Sequence, residues 1–78
     1  MTTGEKLRIL RKEKHITQAK LAELCMIPDS AIRKYESDII EPKLSTIVKL
    51  AKALDVSPAS LLPSYFLDAC YDSLIKEV

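Results

Sequence analysis

The chain has 78 residues, 47% of them apolar, and a net charge of +1. That length suits one small domain, and that apolar content is too high for a disordered chain. The near-neutral total excludes a basic tail or a histone-like wrapper, yet residues 1–36 hold eight Lys/Arg against five acids and residues 37–78 hold four against six. A polyanionic partner is therefore expected at the N-terminal half, unless those lysines merely keep the first helix solvated.

The first predicted helix covers residues 2–15. Thr2 and Glu5 have capping-box spacing. Leu7 and Leu10 point inward, Arg11 lies one turn after Leu7, and Lys6, Arg8, Lys12, Glu13 and Lys14 form the wet face. His15, the only histidine, stands near the helix end, where a cation complements the dipole. No second His, Asp or Cys lies at a spacing that would make it a ligand or a general base.

Thr17 is a good N-cap for the second predicted helix, which begins at Gln18 with its side chain free and ends near Cys25. Leu21, Leu24 and Cys25 share one face of it. The third predicted helix runs from about Asp29 to Ser37 behind Pro28, with Ile32 and Tyr35 on its inner face. Only Met26-Ile27-Pro28 is left for the turn, so the two helices must cross steeply. That is a helix-turn-helix over residues 18–37, whose second helix can enter a DNA major groove. Its outward face carries Asp29, Ser30, Arg33 and Ser37, with Lys34 beside them. All five can hydrogen-bond, and none is bulky and apolar.

Residues 38–43 read as a loop closed by Pro42. The fourth predicted helix lies near 44–54, with Leu44, Ile47, Val48, Ala51 and Leu54 as its apolar stripe. Ser57-Pro58 reads as the cap and first position of a short fifth helix ending at Leu61-Leu62, and Pro63-Ser64 introduces a sixth over about 65–76. No strand pattern, repeat or low-complexity segment appears. Cys25 and Cys70 lack CxxC spacing, and Cys25 occupies a core position. With no apolar signal core and no run approaching about 20 apolar residues, a soluble cytoplasmic protein with no membrane partner is expected. No nucleophile–base pair or metal cluster is legible, so an enzyme, a cofactor or a bound metal is not expected.

The motifs Leu7-x-x-Leu10-Arg11, Ile16-Thr17-Gln18-x-x-Leu21-Ala22, Ile27, Ser30-x-Ile32-x-x-Tyr35-Glu36, Pro42-x-Leu44-x-x-Ile47-x-x-Leu50-Ala51-x-Ala53-Leu54 and Val56-Ser57 fall in one register. Residues 7–62 thereby resemble the Cro/C1-type (XRE-like) helix-turn-helix domain of phage and bacterial repressors. The resemblance implies an all-α fold: a compact five-helix, lambda repressor-like bundle over residues 7–62, with residues 63–78 adding a C-terminal helix. It implies a sequence-specific regulator, expected to be a repressor, that binds double-stranded operator DNA as a dimer. Gln18 falls where the family touches a phosphate and braces the reading helix. Asp29, Ser30, Arg33 and Lys34 fall on base-reading positions, and Arg11 and Glu36 on an internal ion pair. Thr17, Lys20, Ser37 and Lys43 complete the expected DNA-contacting set. Gln18, Lys20, Lys43 and backbone amides at helix N-termini would supply affinity. Arg33, Ser30, Lys34 and Asp29 would supply specificity.

Three departures stand out. The family commonly has Gly where this chain has Met26, Asp38 and Asp55. Asp tolerates the left-handed conformation, but for Met it should cost roughly 1–2 kcal/mol, so either the turn differs or the fold absorbs the strain. Lys43 replaces a small capping residue, and Ser45 is expected to take over. Asp29 repels phosphate but can accept from a cytosine amine; the alternative is a simple partner for the helix dipole. The rival function is a protein-binding adaptor or antitoxin-like regulator on the same fold. An adaptor should show apolar groups on the third helix, where this chain has Ser30, Arg33 and Lys34.

Beyond the family core, Phe66, Ala69, Cys70, Leu74 and Ile75 form one apolar stripe, and Leu67, Tyr71, Leu74 and Val78 a second. Two stripes exceed what one contact needs, so this helix is expected to pair with its twofold mate in a homodimer. The alternative is a sixth helix folded back on a monomer. No small-molecule effector is expected to act on this chain.

Overall fold

The computed structural model describes residues 1–62, which form four α-helices and one 3-10 turn. The helices are α1 (Thr3–Glu13), α2 (Gln18–Cys25), α3 (Asp29–Glu36) and α4 (Leu44–Leu54), and the 3-10 turn is Pro58–Leu61. The expected helix at 65–76, its two apolar stripes and the dimer contact lie outside the described residues. The fifth helix shortens to this single 3-10 turn, and Ser57 makes no backbone cap: its hydroxyl faces that of Ser60 at 3.4 Å.

Each element contributes to one core. Leu7, Leu21, Ile32, Leu50, Leu54 and Leu61 are fully buried, with Ala22, Cys25, Ile47 and Ala51 filling between them. Each of the large side chains contributes about 1.5–3 kcal/mol on burial. α3 packs on α1 and α2, α4 packs on α2, and the 3-10 turn runs between α4 and α1. The Lys6 ammonium donates to the Leu62 carbonyl and closes that circuit. The Cys25 thiol donates to the Lys49 carbonyl at 3.7 Å, joining α2 to α4. Burial pushes this thiol up, against a smaller downward pull from the Lys49 ammonium, so it acts as a small apolar group.

Two of the expected stripes are rotated. The buried face of α4 is Ile47, Leu50, Ala51 and Leu54, while Leu44 and Val48 are 57% and 47% exposed. Leu50 lies on the opposite flank of the stripe from Val48, and the core takes Leu50. On α2 the buried face is Leu21, Ala22 and Cys25. Leu24, expected inside, instead lines an open groove with Met26, Lys49, Lys52 and Ala53.

All four α-helices end alike. The residue after the last turn is left-handed, and none is glycine: His15, Met26, Asp38 and Asp55, with φ of 59°, 59°, 60° and 57°. In each case its N–H and that of the next residue turn back onto the last helical carbonyls, as in Met26 to Glu23 at 3.2 Å and Ile27 to Ala22 at 3.0 Å. The following residue is apolar each time: Ile16, Ile27, Ile39 and Val56. Ile16, Ile27 and Val56 pack against the core. The fold therefore absorbs a left-handed Met26, whose side chain is 92% exposed.

The helix starts differ. Thr2 Oγ1 accepts from the Glu5 N–H at 3.2 Å, and Thr17 Oγ1 accepts from the Lys20 N–H at 3.0 Å. α3 begins behind Pro28 and α4 behind Lys43, both without a side-chain cap, so Ser45 does not take over that role.

Candidate nucleic-acid interface

The turn Met26-Ile27-Pro28 sets α3 against α2. Met26 reverses the chain, Ile27 anchors it in the core, and Pro28, at φ −64°, starts the next helix. α3 divides sharply into two sides. Ile32 and Glu36 are buried and Tyr35 is half-buried; Asp29, Ser30, Arg33 and Lys34 are exposed, as is Ser37 just beyond the helix.

A polar network holds the inner side. The Arg11 guanidinium grips the Glu36 carboxylate with two nitrogens: Nε donates to Oε2 at 2.6 Å and Nη2 to Oε1 at 3.1 Å. Nη1 donates to the Ile16 carbonyl at 2.8 Å, fixing the α1–α2 connection as well. Gln18 Nε2 donates to Glu36 Oε1 at 3.1 Å. The Gln18 side chain, free by its place in the helix pattern alone, is thus tied to α3, where the family resemblance also puts a brace. Side-chain exposures of 11% for Arg11 and 4% for Glu36 place the pair inside the domain. Such a charge pair is tolerated only when further hydrogen bonds satisfy it, as here. One side chain each from α1, α2 and α3 meets at this carboxylate, which ties the start of α2 to the end of α3.

The outer side is looser. Arg33 Nη1 lies 3.6 Å from Asp29 Oδ2, and Lys20 Nζ lies 3.9 Å from Glu23 Oε2. Thr17 is committed to capping α2. Lys43 is exposed at the start of α4 and makes no ion pair or side-chain hydrogen bond with the α3 face among the described residues. Among those residues there is also no group of acids, Cys and His able to hold a metal ion, and no helix long and apolar enough to cross a membrane.

Three supporting features are not evident from the sequence pattern: the close approach at Gly4, the Thr2–Asp38 contact and the left-handed His15. Gly4 is buried where α1 meets the end of α3: an added Cβ would overlap the Tyr35 carbonyl oxygen and lie 2.5 Å from Asp38 Oδ1. The chain's only glycine, set inside a helix, is the available signal of close approach. Asp38 also accepts from Thr2 Oγ1 at 2.9 Å, pairing the start of α1 with the end of α3. No local sequence signal reports that contact, which spans 36 positions. The left-handed His15 is hidden because the pattern that flags the other three positions is one of missing glycines.

An exposed, hydrogen-bonding helix, set by a tight turn against a second helix and braced from behind by a buried charge, is a helix-turn-helix unit. The helix-turn-helix family profile matches residues 7–61, and the chain belongs to that family. It is 32% identical over 77 residues to the immunity repressor protein of Bacillus phage phi105, covering 99% of this chain and 49% of that protein. It is 37% identical over 59 residues to repressor protein C2 of Salmonella phage P22, covering 76% of this chain and 27% of that one. The chain thus spans half or less of the length of these relatives. The crystal structure of the P22 c2 repressor in complex with synthetic operator 9T superposes with a TM-score of 0.75 at 35% identity, over 80% of this chain and 94% of that one. The restriction-modification controller protein C.AhdI of Aeromonas hydrophila gives 0.74 at 37% identity, over 77% and 91%.

Proposed function

We propose that the chain is a sequence-specific double-stranded DNA-binding transcriptional regulator, a cytoplasmic repressor that works as a homodimer. The outer side of α3 carries the reading: five exposed hydrogen-bonding residues and no bulky apolar group, on a helix locked from behind through Glu36. Two relatives are named as phage repressors, and a similar structure holds an operator duplex. Binding is the whole of the proposed activity, with no cofactor, effector or catalytic step.

Roles follow from placement. Arg33 reads guanine through O6 and N7, with Ser30 and Lys34 beside it. Gln18 gives one amide proton to Glu36 and keeps the other for a phosphate. Lys20, Lys43 and the uncapped backbone N–H groups starting α3 and α4 add phosphate contacts. Thr17 and Ser37 flank these contacts. The twofold contact is assigned to residues 64–78, which would set two α3 copies about 34 Å apart on successive major grooves.

Selection of bound duplexes from a random pool tests this. The expected result is a palindromic site with half-sites one helical turn apart, bound with a steep salt dependence. No binding to any duplex at low ionic strength would leave the adaptor function instead.

A further inference from the structure

The outward side of α3 contains an acid where a polyanion is expected to lie. Asp29 stands in the first turn, one turn before Arg33, with side chains 53% and 59% exposed and Oδ2 3.6 Å from Nη1. The other acid of α3, Glu36, faces the core. A pair this long and this wet contributes little to stability. Toward DNA it is costly, because the carboxylate repels phosphates and offsets the guanidinium beside it.

We propose that Asp29 is a specificity-determining residue that acts through Arg33. Its carboxylate stands 3.6 Å from one guanidinium nitrogen, offsets part of that charge toward phosphates, and leaves the guanidinium donors for a guanine edge. The inference rests on the DNA-binding function proposed above. A phosphate contact is chiefly Coulombic, so it scales with the net charge presented, and an arginine with a carboxylate beside it presents less. A guanine contact is directional and needs two N–H groups aimed at O6 and N7. Arginine has five donors, so a carboxylate at Nη1 leaves enough for that fork. Asp29 therefore weakens binding to arbitrary sequence more than binding to the cognate site. A near-neutral domain of this kind discriminates by withholding nonspecific affinity.

The test uses the full 78-residue chain, the duplex selected from the random pool, and a scrambled duplex of equal length. Asp29→Asn, Arg33→Ala and the double variant are compared by affinity across a salt series. Asp29→Asn is expected to tighten the scrambled duplex roughly fivefold to tenfold near 0.1 M salt and to steepen its salt slope by about one. Affinity for the selected site should change less than about twofold, so the specificity ratio falls. In the Arg33→Ala background the same substitution should shift both duplexes equally. Equal tightening in the Arg33 background overturns the proposal in favour of plain phosphate repulsion. A loss confined to one base pair of the selected site overturns it in favour of direct base contact, and no change overturns it outright. Wild-type chain that binds neither duplex at low ionic strength refutes the DNA-binding function itself, a result distinct from all of these.

Discussion

Among the described residues α3 makes one ion pair on each of its two sides, and the two differ in every physical respect. The inner pair, Arg11–Glu36, is short, two-pronged, further bonded by Gln18, and set where side-chain exposure is 11% and 4%. The outer pair, Asp29–Arg33, is a single 3.6 Å approach between side chains that are more than half exposed. In the low-dielectric interior, desolvation makes either inner partner expensive to keep without the other. At the surface, water substitutes for whichever partner is lost. The helix therefore separates its duties: the inner pair fixes how α3 is set in the domain, and the outer pair sets the charge its exposed side presents.

The sharpest way to break this contrast is on the inner side. Glu36→Ala leaves the Arg11 guanidinium buried without its carboxylate, and Arg11→Ala leaves Glu36 with Gln18 alone. Each should lose about 3–5 kcal/mol, read as a large drop in Tm. The double variant should lose less than the sum. Strict additivity in urea melts would show that the two side chains do not act together.

Gly4→Ala is expected to come next. Part of what the new methyl group meets is backbone, the Tyr35 carbonyl, which cannot swing aside as a side chain would. Overpacking of this kind costs about 1–3 kcal/mol. It should also loosen the Thr2–Asp38 contact, visible as faster amide exchange at the start of α1. Unchanged stability would mean that α1 slides along α3 freely.

Met26→Gly should act in the other direction. The left-handed backbone at φ 59° disfavours a side chain, and the Met26 side chain is 92% exposed, so little packing is lost. A gain of about 1 kcal/mol is expected in thermal or urea melts. A loss instead would show that the exposed thioether has a contact of its own.

These sites also mark how far the sequence is legible. Thr17 as a cap, the three-residue turn and the polar outer side of α3 can be read from it, because each rests on local rules that neighbouring residues cannot easily override. The rotation of α4 cannot. Leu44, Val48 and Leu50 are all apolar, and only the packed position of α2 and the 3-10 turn decides which of them is inside. The 3-10 turn itself reads as a helix because Ser57-Pro58 is a start signal that does not distinguish one helical turn from several. Asp29 and Arg33 stand at i, i+4 spacing, but each alone fits a base-reading position, and spacing does not show whether the pair closes.

The smallest expected effect on stability separates the two sides of α3 most cleanly. Asp29→Ala and Arg33→Ala should each stay within about 0.5 kcal/mol of the wild type in a urea melt, because an exposed single-contact pair gains little over its hydrated parts. Asp29 also lies near the positive end of α3, so its loss should be the more noticeable of the two. Binding should rank the variants differently. Arg33→Ala should lose about 1–3 kcal/mol on the selected duplex and relax preference at one base position. A variant that folds normally yet loses a single base preference would assign Arg33 to readout. Loss spread evenly over all sequences would make it a phosphate contact, and a melt lowered as far as that of Glu36→Ala would mean that the outer pair supports the fold after all.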